Sequence, residues 1–287
     1  MKKSAVIKSE ALRNIVAQIS SGELVFPANV RATLKIQEAL DEPKYGTDEI
    51  AKLIIQEPLV AARVIAVANS VAYSRFGGGI TNVRMAISIL GFSTLRSVVA
   101  AVIMRQICLA ISDNAIREKM EYLWVHSATV AAMAHLLARK VSKIDPETAL
   151  FAGVVHEVGG FYLLSRAEEF PALLESGTEI DYPSADQSNE LEIARAVLQK
   201  LLIPKRVMSS IESCWHGAAV FPPVSLGDTL LLANHLTDTV SPLKQRHQTK
   251  LTANTGTIDF MVGDKSLQEI LDESKEDLGS LTEALIH

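Results

Sequence analysis

The chain has 287 residues, with 28 lysines and arginines against 33 aspartates and glutamates for a net charge of −5, and it is 48% hydrophobic but only 5% aromatic. At this length a globular chain buries roughly 75% of the surface its unfolded form would expose, so one or two domains fold without disulfides or a structural metal. Scattered cations supply no basic field to hold nucleic acid, and Cys108 and Cys214, far apart in apolar contexts, form neither a disulfide framework nor a zinc ribbon, which fits a reducing cytoplasm.

Met1 to Gly22 interleaves Lys2, Lys3, Lys8 and Arg13 with polar residues, which argues against a secretory signal. From Ile50 to Leu236 apolar residues recur at three- and four-residue spacing while strict alternation is scarce, which predicts an all-α fold with sheet content near zero. A helix opens near Thr47, where Asp48 and Glu49 complement the helix dipole, and buries Ile50, Leu53 and Ile54. Pro58 starts the next, with Val60, Val64 and Val67 on one face and Asn69 and Ser70 as capping groups at its end. Gly77, Gly78 and Gly79 follow, but no glycine in the chain precedes a lysine, so they read as a turn and not as a phosphate cradle. Two further helices meet at Gly91, Val83 to Leu90 before it and a run through Leu95, Val98, Val99, Val102 and Ile103 after it. This has the outline of a DNA-binding hairpin, yet Arg96 and Arg105 are the second helix's only charges, whereas a recognition helix presents polar side chains to base edges.

Tyr122 to Ala138 is the longest uncharged run, slightly short of a membrane span, and reads as a buried helix. Val130, Met133 and Leu137 lie four, seven and eleven residues after His126, so His126 points inward. Asp145 and Pro146 begin a helix that runs through Phe151, Val154 and Val155 to His156 and Glu157, where Gly159 and Gly160 are expected to interrupt it. Glu175 to Asn189 reads as a surface loop; helices resume at Leu191 to Leu202, continue through Ile211 to His216, and return after Asp228. Cys214 reads as a small core residue. Beyond Ser241 the composition turns polar, and Leu267 to Ile286 predicts an amphipathic C-terminal helix that docks or pairs.

Three stretches carry a family resemblance: FPANVRATL from Phe26, IIQEPLVAARVIAVANSVAY from Ile54, and ITNVRMAISILGFSTLRSV from Ile80. The order continues in LWVHSATVAAMAHLLA, LFAGVVHEVGG, LLIPKRVMSSIESCWHG and LLLANHLTD, so that residues 20–240 resemble the HDOD family, the HD-related output domain of bacterial signalling proteins. The resemblance implies an HDOD-specific N-terminal helical bundle packed on a degenerate HD-type bundle, here over 1–115 and 116–240, with a C-terminal extension over 241–287. It also implies a regulatory role in signal transduction, since most members have no demonstrated enzyme activity.

A catalytic HD domain needs a histidine, a His-Asp pair and a distant aspartate converging on a divalent metal, which lowers the pKa of a bound water and neutralises phosphate charge. By resemblance the first histidine matches His126, the pair matches His156 and Glu157, and the distant aspartate falls at Asn234, after Ala233. His216 is a further ligand candidate, and Gly160 stands where active relatives commonly carry a basic residue. Exchanging aspartate for asparagine weakens hard-cation binding, while the imidazoles retain affinity for zinc or another borderline metal. The expected function is therefore a non-catalytic regulator acting through contacts with a signalling protein, without nucleic acid or membrane partners and compatible with a homo-oligomer. No cofactor is expected beyond the option of manganese, zinc or iron at these degenerate positions. The alternatives are an HD-superfamily phosphohydrolase acting on a nucleotide or phosphoester and, third, a DNA-binding regulator.

Overall fold

The structure, a computed structural model, describes residues 2–24, 26–73, 79–174, 185–216, 220–243 and 258–287, with backbone alone at 2–6, 185–187 and 216. Its helices are α1 (Lys2–Ser20), α2 (Arg31–Asp41), α3 (Thr47–Ile55), α4 (Pro58–Asn69), α5 (Val83–Leu109), α6 (Asn114–Leu137), α7 (Pro146–Val155) and α8 (Val158–Ser165). They continue as α9 (Ala185–Lys200), α10 (Lys205–His216), α11 (Leu226–Leu236), α12 (Leu267–Asp272) and α13 (Lys275–Ile286). One hairpin, β1 (Met261–Val262) with β2 (Lys265–Ser266), is the only sheet among the described residues, so the all-α expectation holds.

A continuous apolar core runs from Leu12 on α1 to Leu285 on α13. Its axis is α5, which packs on α2, α3, α4, α7 and α8 and buries Leu95 and the run from Val98 to Met104. Gly91 breaks α5 as expected: at φ 70 and ψ 170 it adopts a conformation that an L side chain rarely takes. The second helix's two cations are engaged within the protein, Arg96 with Asp41 and the Leu40 carbonyl and Arg105 with Glu121. Val83–Leu109 and Pro146–Ser165 have the length and hydropathy of membrane spans, but most of each is buried in the protein.

Asn69 does more than cap α4. Its amide donates to the carbonyls of Ile65 and Ile80, at 3.0 and 2.7 Å, and its Oδ1 accepts from the Ile80 N–H at 2.8 Å, closing the connection to α5. Ser70 Oγ donates to Val67 O. Gly77 and Gly78 lie outside the described residues, as does most of the loop expected over Glu175 to Asn189.

Three boundaries differ from expectation. α9 starts at Ala185, six residues before Leu191. Gly159 and Gly160 do not interrupt a helix; the break falls at His156 and Glu157, and both glycines lie in the first turn of α8. Their smallness serves packing, since a Cβ on Gly159 would stand 2.6 Å from Cβ of Ala194 on α9. The segment Leu267 to Ile286 is two helices, parted at Glu273 and Ser274, where buried Ser274 donates its hydroxyl to Ile270 O and accepts from Lys140 Nζ.

A polar cluster that sequence spacing did not reveal joins the turn after α4 to α5, α6 and α7. The Glu147 carboxylate accepts from Tyr73 Oη at 2.7 Å and Thr94 Oγ1 at 2.5 Å, and its other oxygen lies 3.4 Å from His135 Nε2. Burial opposes ionisation of Glu147, but the hydrogen bonds from His135, Thr94 and Tyr73 outweigh it and hold the carboxyl below its ordinary 4.5. Because the folded value is depressed, this stability is fully present above the unfolded value near 4.5 and is lost as pH falls through the folded one. Glu147→Gln, which keeps an acceptor but removes the charge, is expected to cost about 1 kcal/mol at neutral pH. It should also flatten the acid limb of the stability profile, and denaturant melts at several pH values that superimpose on wild type would refute this.

Candidate metal centre

α6 is started by Asp113, whose side chain accepts from the Ile116 N–H, and its inward stripe carries His126 into the core at 2% exposure. α7 is started by Asp145, which accepts from the Thr148 N–H, with Pro146 at the first helical position. Ten residues later α7 ends at Val155, so His156 and Glu157 sit in the turn before α8, 5% and 1% exposed. The packing of α7 on α6 brings the histidines together, with ring centroids 5.5 Å apart. One ligand atom from each of His126, His156 and Glu157 lies within 4.8 Å of the other two.

Hydrogen bonding assigns the ring protons. His126 Nδ1 lies 2.6 Å from the Thr239 carbonyl and His156 Nδ1 lies 2.7 Å from the Gly153 carbonyl. A carbonyl oxygen only accepts, so each Nδ1 carries the hydrogen and, in the neutral rings, each lone pair is on Nε2. Metal-binding histidines are oriented in this way, by a backbone carbonyl or carboxylate on the far nitrogen. Two such imidazoles and one carboxylate fit a divalent transition metal, whereas a hard cation would want more oxygen ligands.

The other candidates stand differently. Asn234 is half-buried on α11, which packs against α6 and α7, and it contributes no charge. The His216 side chain lies outside the described residues. Gly160 has a neighbour that sequence reasoning missed: a Cβ there would stand 2.2 Å from Cδ1 of Leu243 and 3.3 Å from Glu157 Oε2. The segment after α11 thus crosses the site twice, with the Thr239 carbonyl on His126 and the Leu243 methyl in the space a side chain at 160 would take. No local signal marks Thr239 or Leu243, since one acts through its backbone and the other through packing.

Beside the cluster, His156, Glu157, Gly159, Glu190, Leu191, Ala194 and Trp215 line a cavity of about 20 Å³, room for a water or an ion and far below nucleotide size. Cys214 is buried against the Ser210 and Gly227 carbonyls. Burial, reinforced by Asp228, pushes its thiol up to about 12. Burial likewise pushes Cys108 up to about 12, so neither is a thiolate nucleophile at neutral pH.

The model of the HDOD domain family matches residues 26–207. Among solved structures, a "putative metal-dependent phosphohydrolase" from Shewanella amazonensis SB2B is 21% identical with a TM-score of 0.65, over 98% of this chain and 99% of that one. An HDOD domain protein with unknown function from Geobacter sulfurreducens is 19% identical with a TM-score of 0.56, over 96% of this chain and 97% of that one. A "putative signal transduction protein" from Marinobacter aquaeolei VT8 is 17% identical with a TM-score of 0.55, over 98% of this chain and 66% of that one. At these identities the likeness is one of fold. No curated protein matches the chain.

Proposed function

The chain belongs to the HDOD domain family, and we propose that it works as a non-catalytic signal-transduction protein that acts through protein contacts and retains a metal-holding remnant of the HD site. The observation that carries this reading is Leu243: its methyl fills the space beside Glu157 where an active relative would carry a basic, phosphate-binding side chain. A phosphoester would have to displace that methyl and would then meet neither the basic side chain nor the distant aspartate, the fourth ligand of an HD site, because Gly160 and Asn234 stand in their places. The small cavity supports the same reading. Named likeness to a signal transduction protein of shared fold agrees with it. Buried thiols at Cys108 and Cys214 support action in a reducing compartment such as the cytoplasm.

His126, His156 and Glu157 would hold the metal, through Nε2 of each ring and a carboxylate oxygen. A bound divalent ion supplies Lewis acidity and lowers the pKa of a coordinated water. Around it, the Thr239 and Gly153 carbonyls keep both rings in one tautomer, and Leu243 limits access by solvent and substrate. The convergence of the three ligands favours a second reading, metal-dependent hydrolysis of a phosphoester.

One experiment separates the two. The chain and its His156→Ala variant are incubated with manganese, zinc or iron, desalted, and assayed for retained metal by mass spectrometry and for hydrolysis of bis(p-nitrophenyl) phosphate and nucleotides. The expected result is about one metal per wild-type chain, lost in the variant, with no turnover above the metal-only control. Metal-stimulated hydrolysis that disappears in His156→Ala would overturn the non-catalytic reading in favour of the hydrolase.

A further inference from the structure

The C-terminal helix α13 lies on a face formed by α4 and α6, and that face reads the helix at both ends. At its start, Arg139 Nη2 donates to Asp277 Oδ2 at 2.7 Å and Lys140 Nζ donates to Ser274 Oγ at 2.9 Å. At its end, Arg63 donates through Nη1 to Ala284 O and through Nη2 to Ile286 O, at 3.0 and 3.2 Å. The last-turn carbonyls of a helix have no intrahelical donors, so a guanidinium placed there recognises a helix end as such. In the middle, the Val71 N–H donates to Ser280 Oγ at 3.0 Å.

The apolar hold centres on Leu281 and Leu285, four residues apart and 2% and 0% exposed, with half-buried Leu278, Ala284 and Ile286 packed beside them, while Lys275, Glu276, Gly279 and Glu283 are exposed. Two anchors at i and i+4, an acid in the first turn and cations waiting at each end are the elements of helix-in-groove recognition. The groove residues Arg63, Val71, Arg139 and Lys140 lie within the family-matched residues 26–207, and α13 lies beyond them.

We propose that this face is a docking groove for an amphipathic helix of a signalling partner, and that α13 is its resident intramolecular occupant, displaced when the partner binds. The partner helix is one with the α13 pattern: an acid in the first turn, a leucine pair four residues apart preceded by a small hydroxyl residue, and open carbonyls in its last turn. The proposal rests on the reading that the protein acts through protein contacts, and it makes no use of the metal site. A hydrolase result would leave it standing, and its failure would leave the metal result unchanged.

The test uses the full chain and a fluorescent peptide with the sequence of residues 266–287, followed by anisotropy. Leu281→Ala with Leu285→Ala in the chain loosens the resident helix, and this variant is expected to bind the peptide at least 10-fold more tightly than wild type. Adding Arg63→Ala or Arg139→Ala should reverse that gain, and a peptide carrying Leu285→Ala should not bind. No binding to a loosened chain that still melts cooperatively, or binding indifferent to both arginines, would overturn the groove. Should the loosened chain fail to fold, amide exchange in a 15N-labelled wild-type chain decides: excess peptide must accelerate exchange in α13, and unchanged exchange overturns the proposal. A wild-type chain that dimerises by exchanging α13 would assign the groove to a second copy and overturn the partner assignment.

Discussion

Replacing Gly153 by alanine is expected to cost about 3 kcal/mol of stability, because among the described glycines it is the one whose added Cβ would meet backbone atoms closer than 3.0 Å. The new Cβ would stand 2.4 Å from the Cα, 2.8 Å from the backbone N and 3.0 Å from the Cβ of Ala131 on α6. Backbone atoms cannot rotate aside as a side-chain end does, so the α6 and α7 axes must separate and contacts along both helices weaken together. At this chain length the loss should lower the melting temperature by roughly 5 °C. The same contact sets the site: His126 lies five residues before Ala131, and the Gly153 carbonyl holds His156. Gly153→Ala should therefore also weaken metal retention, even though it removes no ligand. Gly279→Ala is the matched control, since a Cβ there meets nothing within 4 Å in α13 and the change should stabilise by about 0.5 kcal/mol. Thermal melts in which the two variants behave alike would show that the α6–α7 approach is not the constraint.

Metal should in turn stabilise the folded chain. The ligands come from α6 and from the turn between α7 and α8 and meet only in the native packing, so an ion that binds them favours the folded state. At a free concentration 100 times the dissociation constant the gain is about 2.7 kcal/mol, which corresponds to a rise of roughly 4 to 5 °C in melting temperature. His126→Ala and His156→Ala are each expected to abolish that rise. Scanning calorimetry with and without zinc or manganese measures it directly, and an equal rise in wild type and His156→Ala would place the ion elsewhere on the protein. The Thr239 contact adds a finer expectation, because it acts through a backbone carbonyl. Thr239→Ala, which leaves the carbonyl in place, should retain metal as wild type does.

What the sequence determined by itself is local. Helical spacing placed His126 on an inward face, Gly91 at a break, and His156 with Glu157 at a helix end, because a period of 3.6 residues converts position along the chain into direction around an axis. It gave no sign of α1, where Leu12 and Ile15 are buried between charged and polar residues and the helix is held by packing on α9 and the turn before the Glu175 loop. The metal-ligand assignment came from family resemblance, since two histidines thirty residues apart have no spacing signature of their own. Tertiary structure decided what meets what. The distance between those histidines follows from how closely α7 approaches α6 at Gly153, the cover over the site from where Thr239 and Leu243 fall after α11, and the Glu147 cluster from four elements converging. Each of these depends on interhelical approach, which is set by the sizes of facing residues far apart in the chain, and no local period carries that information.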